Sequence, residues 1–91
     1  MTILHRYWFK FSLLKPYSDL GLGCGVTAYN LDDAVAVLEQ SVFANGRSYD
    51  VASVVEDVDV STLDPKHVIP NMNPPIWRGV WFPKGYYLPV R

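Results

Sequence analysis

The sequence predicts an α+β domain, in which a small, mostly antiparallel sheet of about four strands carries one main helix on one face. Three observations support this prediction. The first segment alternates strictly between two faces, one capped amphipathic helix follows, and two further apolar segments are bounded by proline and glycine. With 91 residues the chain has room for one hydrophobic core, so we expect a single domain over residues 1–91.

The first predicted strand covers residues 3–13 and has a period of two. Its core face holds the side chains of Ile3, His5, Tyr7, Phe9, Phe11 and Leu13. The opposite face carries Trp8 between Arg6 and Lys10. We expect that second face to be half exposed, because lysine and arginine stems can lie along an indole while their charges stay in water.

The main helix is predicted to begin after Asn30, whose side chain can accept hydrogen bonds from first-turn amides, with Asp33 forming a capping box. A stripe at helical spacing faces the sheet, and Asn45-Gly46 ends the helix. The stripe comprises Leu31, Ala34, Val35, Leu38 and Val42. The glycine-rich connection before it lacks the third glycine of a dinucleotide fingerprint, and Asp32 would repel a phosphate, so we interpret it as a structural turn.

The remaining segments complete the predicted sheet. Residues 49–60 are rich in valine on both faces, which predicts a strand near the middle of the sheet. A right-handed crossover through the helix would place the second and third strands parallel or nearly adjacent. Asp64-Pro65 predicts a capped turn, and residues 77–82 predict the last strand. The sheet face without the helix then needs cover from the C-terminal aromatic segment, a second copy or another partner.

Composition excludes several function classes. Hydrophobic residues make up 49% of the chain and charged residues 19%, which is opposite to the composition of disordered proteins. A net charge of −1 disfavours general nucleic-acid binding, and no apolar run is long enough for a membrane span. The single cysteine, Cys24, excludes an internal disulfide, and the first residues do not match a signal peptide. We therefore expect a cytoplasmic protein.

Two polar clusters have residue types that could bind a metal ion or catalyse a reaction. The acidic residues Glu56, Asp57, Asp59 and Asp64 lack the spacing of a calcium loop, so a solvated strand end is favoured over a metal site. A carboxylate from Asp64 could orient His67 for general-base catalysis, but no nucleophile stands in a recognised setting. We accordingly expect no cofactor, no metal and no catalytic residue, with an enzyme using His67 as the less favoured alternative.

The final third of the chain concentrates the residue types that dominate binding interfaces. In an extended strand Trp77 and Trp81 would share one side, with the gap at Gly79 forming a groove. The predicted binding residues are Trp77, Arg78, Trp81, Lys84, Tyr86 and Tyr87. Thirteen aromatic residues are many for so small a core, although both tryptophans could instead complete that core.

These observations favour a non-catalytic domain that self-associates or docks a protein partner through the aromatic C-terminal segment. The alternative is a small-molecule binder, in which Trp77 or Trp81 stacks on a nucleotide-like ring and Arg78 or Lys84 meets an anion.

The sequence resembles a group of short uncharacterised bacterial proteins. The resemblance lies in Asp-Val-Ser-Thr-Leu-Asp, His-Val, Pro-Asn-Met and Pro-Pro-Ile-Trp-Arg-Gly-Val-Trp-Phe-Pro within residues 58–83, and in Gly-Val-Thr-Ala-Tyr and Asp-Asp-Ala within residues 25–34. It implies a bacterial or phage origin, and it implies no activity, cofactor or catalytic residue.

Overall fold

The computed structural model describes residues 3–12, 22–43 and 50–84. Within these ranges it contains one four-stranded antiparallel sheet, one α-helix and two short 3₁₀ turns, so the predicted α+β class is confirmed. The predicted helix stop at Asn45-Gly46 and the predicted binding residues Tyr86 and Tyr87 lie outside the described residues.

The elements follow one another in a simple order. They are β1 (His5–Phe11), β2 (Cys24–Ala28), α1 (Leu31–Gln40), β3 (Val51–Glu56), 3₁₀ turns at Val60–Thr62 and Ile69–Asn71, and β4 (Gly79–Phe82). The spatial order of the strands is β3-β1-β2-β4, and each neighbouring pair is antiparallel. Strands β2 and β3 therefore run in the same direction, as the predicted crossover requires, but β1 lies between them.

The helix packs on one face of the sheet and forms the first core. Its buried stripe meets Tyr7 and Phe9 of β1 and Val26 of β2. This cluster comprises Tyr7, Phe9, Cys24, Val26, Ala28, Ala34, Val37, Leu38, Val42, Phe43 and Val80. The assignment of Tyr7 and Phe9 to the core face was therefore right.

The helix begins as predicted. The Asn30 side chain accepts a hydrogen bond from the Asp33 amide at 2.8 Å. The Asp33 carboxylate accepts a hydrogen bond from the backbone amide of Tyr29 at 3.0 Å. In a standard capping box this bond would come from the amide of the N-cap residue, Asn30, which is one residue later.

The opposite face of the sheet carries a second core. It comprises Trp8, Val58, Leu63, Val68, Trp81 and Phe82. The segment between β3 and β4 supplies three of these side chains, Val58, Leu63 and Val68, and this cover was not among the three alternatives that the sequence analysis named. Trp8 is only 5% exposed, whereas Arg6 and Lys10 on the same face of β1 are exposed, so this face is half exposed as predicted. The Trp8 indole packs against the ring of Trp81, with centroids 5.9 Å apart.

Strand β3 corrects the prediction of a central, covered strand. It lies at the edge of the sheet, and all six of its residues are exposed. Val54 and Val55, which project to opposite faces, are 37% and 50% exposed. Hydrophobicity on both faces suggested burial, but α1 packs over β2 and β4 and leaves the β3 side of the sheet open.

The glycines before the helix are packing residues, in agreement with the interpretation as a structural turn. Gly23 has φ +121°, and a Cβ built on it would lie 2.6 Å from the Trp8 ring. A Cβ on Gly25 would lie 2.5 Å from the Trp81 ring. Both positions are therefore restricted to glycine because the indoles of the second core lie directly against the backbone.

Among the residues that the structure describes, no helix has the length and apolar character needed to cross a membrane.

Candidate binding surface

The predicted groove between Trp77 and Trp81 does not form. Strand β4 begins at Gly79, so Trp77 precedes the strand, and Trp81 is 1% exposed within the second core. Trp81 thus has no surface to offer a partner, and the interpretation of this tryptophan as core filling is confirmed. Lys84 is exposed just after β4.

Trp77 and its neighbour Ile76 form an exposed apolar tip. Trp77 is 70% exposed and Ile76 is 60% exposed, and among the large hydrophobic residues that the structure describes only Ile3, at 66%, has a comparable exposure. An indole that stays largely in water leaves apolar area that burial against another molecule would remove at a gain in free energy. The tip is therefore the part of the predicted binding segment that is available for contact.

The loop that carries this tip is fixed to the sheet at two points. The Asn73 amide donates to the Trp81 carbonyl oxygen at 2.8 Å. The hydroxyl of buried Thr27, on β2, donates to the Pro75 carbonyl oxygen at 2.6 Å. Both bonds hold the backbone immediately before Ile76, so the exposed tip stands on an anchored loop.

Arg78 supplies the third anchor. Its Nε donates to Asp33 Oδ2 at 2.9 Å and its Nη2 to Asp33 Oδ1 at 2.6 Å, a bidentate pair that ties the loop to the first turn of α1. Hydrogen bonding from Arg78 lowers the pKa of Asp33, and the same contact raises the pKa of Arg78. The charge of the Arg78 guanidinium is therefore balanced within the chain by Asp33.

Tyr29 lies beside Arg78. Its ring is 45% exposed, and the Arg78 guanidinium carbon lies 5.9 Å from the ring centroid, within the range of a cation–π contact. We call Tyr29, Ile76, Trp77 and Arg78 the Trp77 surface. The sequence analysis did not single out Tyr29, because it is distant from residues 76–78 along the chain and its position beside them depends on the pairing of β2 with β4.

The His67–Asp64 pair forms as expected but lies in an open position. His67 Nδ1 is 3.0 Å from Asp64 Oδ2, and the imidazole side chain is 66% exposed. Asp64 also accepts hydrogen bonds from the amides of Lys66 and His67, and these contacts lower its pKa. The carboxylate therefore caps the turn, as predicted, and it orients an imidazole that faces solvent.

The aromatic residues divide clearly between core and surface. Nine of the thirteen lie in the described ranges, and six of these are buried. Phe11 is partly buried, while Tyr29 and Trp77 are exposed. A small domain therefore hides more aromatic area than its length suggested, and the case for a docking surface depends on the two exposed rings.

No protein-family model matches the chain, and no match was found among curated proteins or among solved structures. The resemblance to uncharacterised bacterial proteins stays a prediction.

Proposed function

We propose that this chain is a non-catalytic protein-interaction domain that docks a second copy of itself through the Trp77 surface. The observation that carries the proposal is the contrast between the exposure of Trp77, at 70%, and the three anchors that hold its loop. A preorganised apolar anchor loses little conformational entropy on binding, which is the property that distinguishes interface hot spots.

The charges of the surface favour a protein partner over an anionic small molecule. The Arg78 guanidinium is neutralised by Asp33, so a phosphate would have to displace a bidentate carboxylate that also contacts the Tyr29 amide. The exposed rings of Tyr29 and Trp77 need only apolar contact. The nucleotide-like ligand is thus the second candidate, and it would stack on Trp77 alone.

A second copy is the occupant that best fits this chemistry. A two-fold interface places the same patch on both sides, so the patch must complement itself. The Trp77 surface meets that condition because it joins exposed aromatic rings to an internally neutral ion pair, and the chain has a net charge of only −1. Two such patches can stack their rings without bringing uncompensated like charges together.

Sedimentation velocity over a dilution series tests the proposal. We expect a reversible dimer of the full chain, and we expect Trp77→Ala to raise its dissociation constant by about thirtyfold, the effect of a hot spot of ~2 kcal/mol. Ile69→Ala is the matched control, since Ile69 is an exposed apolar residue outside the Trp77 surface, and it should leave the dimer unchanged.

The edge strand offers a competing dimer interface that the same experiment distinguishes. Val55→Lys places a charge on β3, which would oppose pairing between two β3 edges. A dimer that is broken by Val55→Lys and not by Trp77→Ala would overturn the assignment to the Trp77 surface. A chain that stays monomeric at every concentration would overturn self-association itself.

We further infer a cytoplasmic setting. The support is the single cysteine, Cys24, which is buried in the first core and excludes an internal disulfide. Fractionation of the expressing cells tests this inference, and recovery in a secreted fraction would contradict it.

A further inference from the structure

Three side chains with metal-binding groups meet where β1 begins and β3 ends. His5 is the first residue of β1, Glu56 is the last residue of β3, and Asp57 follows it. One donor atom from each residue can be chosen so that all three lie within 4.8 Å of one another. The sequence analysis had grouped Glu56 and Asp57 with later acidic residues and had not connected them with His5.

The register of the sheet explains this meeting. Tyr7 pairs with Glu56 across the antiparallel β1–β3 ladder, and the Val58 amide donates to the Arg6 carbonyl oxygen at 3.1 Å. The two strands therefore remain bonded on both sides of Asp57. This pairing sets its carboxylate beside the His5 imidazole, with Nδ1 2.7 Å from Oδ1.

The hydroxyl of Tyr7 contacts the Glu56 carboxylate. Tyr7 is 1% exposed, and its hydroxyl lies 3.4 Å from Glu56 Oε2 as a hydrogen-bond donor. Outer-shell donors of this kind fix the orientation of a ligating carboxylate.

No lysine or arginine of the described residues pairs with the two carboxylates of the cluster. Within residues 3–12, 22–43 and 50–84, neither Glu56 nor Asp57 forms an ion pair with a lysine or arginine, and His5 is the one ion-pair partner of Asp57. The other two acidic residues of the segment are engaged elsewhere, since Asp59 caps the turn at Ser61 and Asp64 caps the turn at Lys66. The negative charge of Glu56 and Asp57 beside His5 is therefore distinct from the carboxylates that cap those two turns.

We propose that His5, Glu56 and Asp57 form a binding site for a divalent transition-metal ion of the Zn²⁺ type. One imidazole nitrogen and two carboxylate oxygens are a mixed donor set that suits Zn²⁺, whereas Mg²⁺ and Ca²⁺ prefer oxygen donors throughout. Three protein ligands leave the remaining coordination positions to water. The exposed position of Glu56 and Asp57 allows their carboxylates to rotate inward to ligand distances of about 2.0–2.2 Å.

Isothermal titration calorimetry of the full chain with Zn²⁺ measures the affinity and stoichiometry of the site. We expect one ion per chain, and we expect His5→Ala, Glu56→Gln and Asp57→Asn each to weaken binding by about tenfold or more. Asparagine is the appropriate replacement at position 57, because Asp57 has φ +56° and asparagine tolerates that left-handed conformation.

The second His–Asp pair of the chain provides a matched control. His67 is exposed and contacts the half-buried Asp64, but the pair belongs to no group of three donors within the described residues, so His67→Ala should not change the Zn²⁺ affinity. Absence of binding to the wild-type chain, or equal weakening by His67→Ala and His5→Ala, would overturn the proposal. Competition by equimolar Mg²⁺ or Ca²⁺ would overturn the assignment of the ion. The metal site shares no residue with the Trp77 surface. The result of the Zn²⁺ titration is therefore independent of whether the chain forms a dimer.

Discussion

Gly25 lies directly against the indole of Trp81, with no space for a side chain between the β2 backbone and the ring. We expect Gly25→Ala to lower the free energy of unfolding by about 1–3 kcal/mol, because the added methyl overpacks a closed core. Urea unfolding followed by circular dichroism measures this change. Adding Trp81→Phe, which shortens the ring system, should recover part of the loss, and additive effects of the two substitutions would contradict the contact.

The two tryptophans flanking Gly79 should differ sharply in their contributions to stability. Trp81→Ala empties a buried site and should cost about 3–5 kcal/mol, whereas Trp77→Ala removes a side chain that is 70% exposed and should change stability by less than about 0.5 kcal/mol. Chemical denaturation at concentrations where the chain is monomeric checks the contrast. Similar losses for both variants would show that Trp77 is a core residue, and this would remove the basis of the docking surface.

Thr27 should couple the sheet to the loop that carries Trp77. Thr27→Val keeps the shape of the side chain but removes the donor to Pro75, so we expect a loss of about 1–3 kcal/mol from the unsatisfied carbonyl oxygen. Amide hydrogen exchange should report faster exchange for residues 76–78. Thr27→Ser, which retains the hydroxyl, is the control and should preserve the protection of the loop.

The Asp33–Arg78 pair should make stability depend on pH in the acidic range. Hydrogen bonding from Arg78 places the pKa of Asp33 below its value in the unfolded chain. The stabilisation is therefore complete above the unfolded pKa and is lost as pH falls through the folded pKa. We expect about 1 kcal/mol, a value that allows for solvent screening of this partly exposed pair.

Asp33→Asn separates this effect from helix capping, because an amide oxygen can still accept from Tyr29. The variant should flatten the acidic part of the stability curve and leave the helix intact by circular dichroism. An unchanged pH profile would show that another carboxylate dominates the acid response.

The sequence was sufficient where the deciding forces are local. The alternation of β1 predicted that Tyr7 and Phe9 share the core face, and the Asn30 cap predicted the start of α1. The predicted stripe was right in part, since Leu31 is 44% exposed and the buried Val37 was not among its members. The capping of the later turn by Asp64 could also be predicted from the sequence. In each case the relevant hydrogen bonds or side chains lie within a few residues of one another, so spacing alone determines the result.

How these elements cover one another depends on long-range packing, which the sequence pattern did not reveal. Valine on both faces of β3 indicated a central strand, yet strand order is set by long-range pairing, and the helix covers the other half of the sheet. The sequence could not show that Trp81 is buried while Trp77 is exposed, since that depends on where β4 begins and on the segment that closes the second core.

The sequence pattern also did not reveal either candidate site, the Trp77 surface or the cluster of His5, Glu56 and Asp57. Tyr29 and Arg78 meet through contacts between distant segments, as do His5 and Asp57, and no spacing rule connects such positions. The α+β class, the start of the helix and the alternation of β1 could be predicted from the sequence, because they follow from local geometry. The exposure of Trp77 and the convergence on His5 were decided by packing, because burial depends on which distant residues the fold brings together.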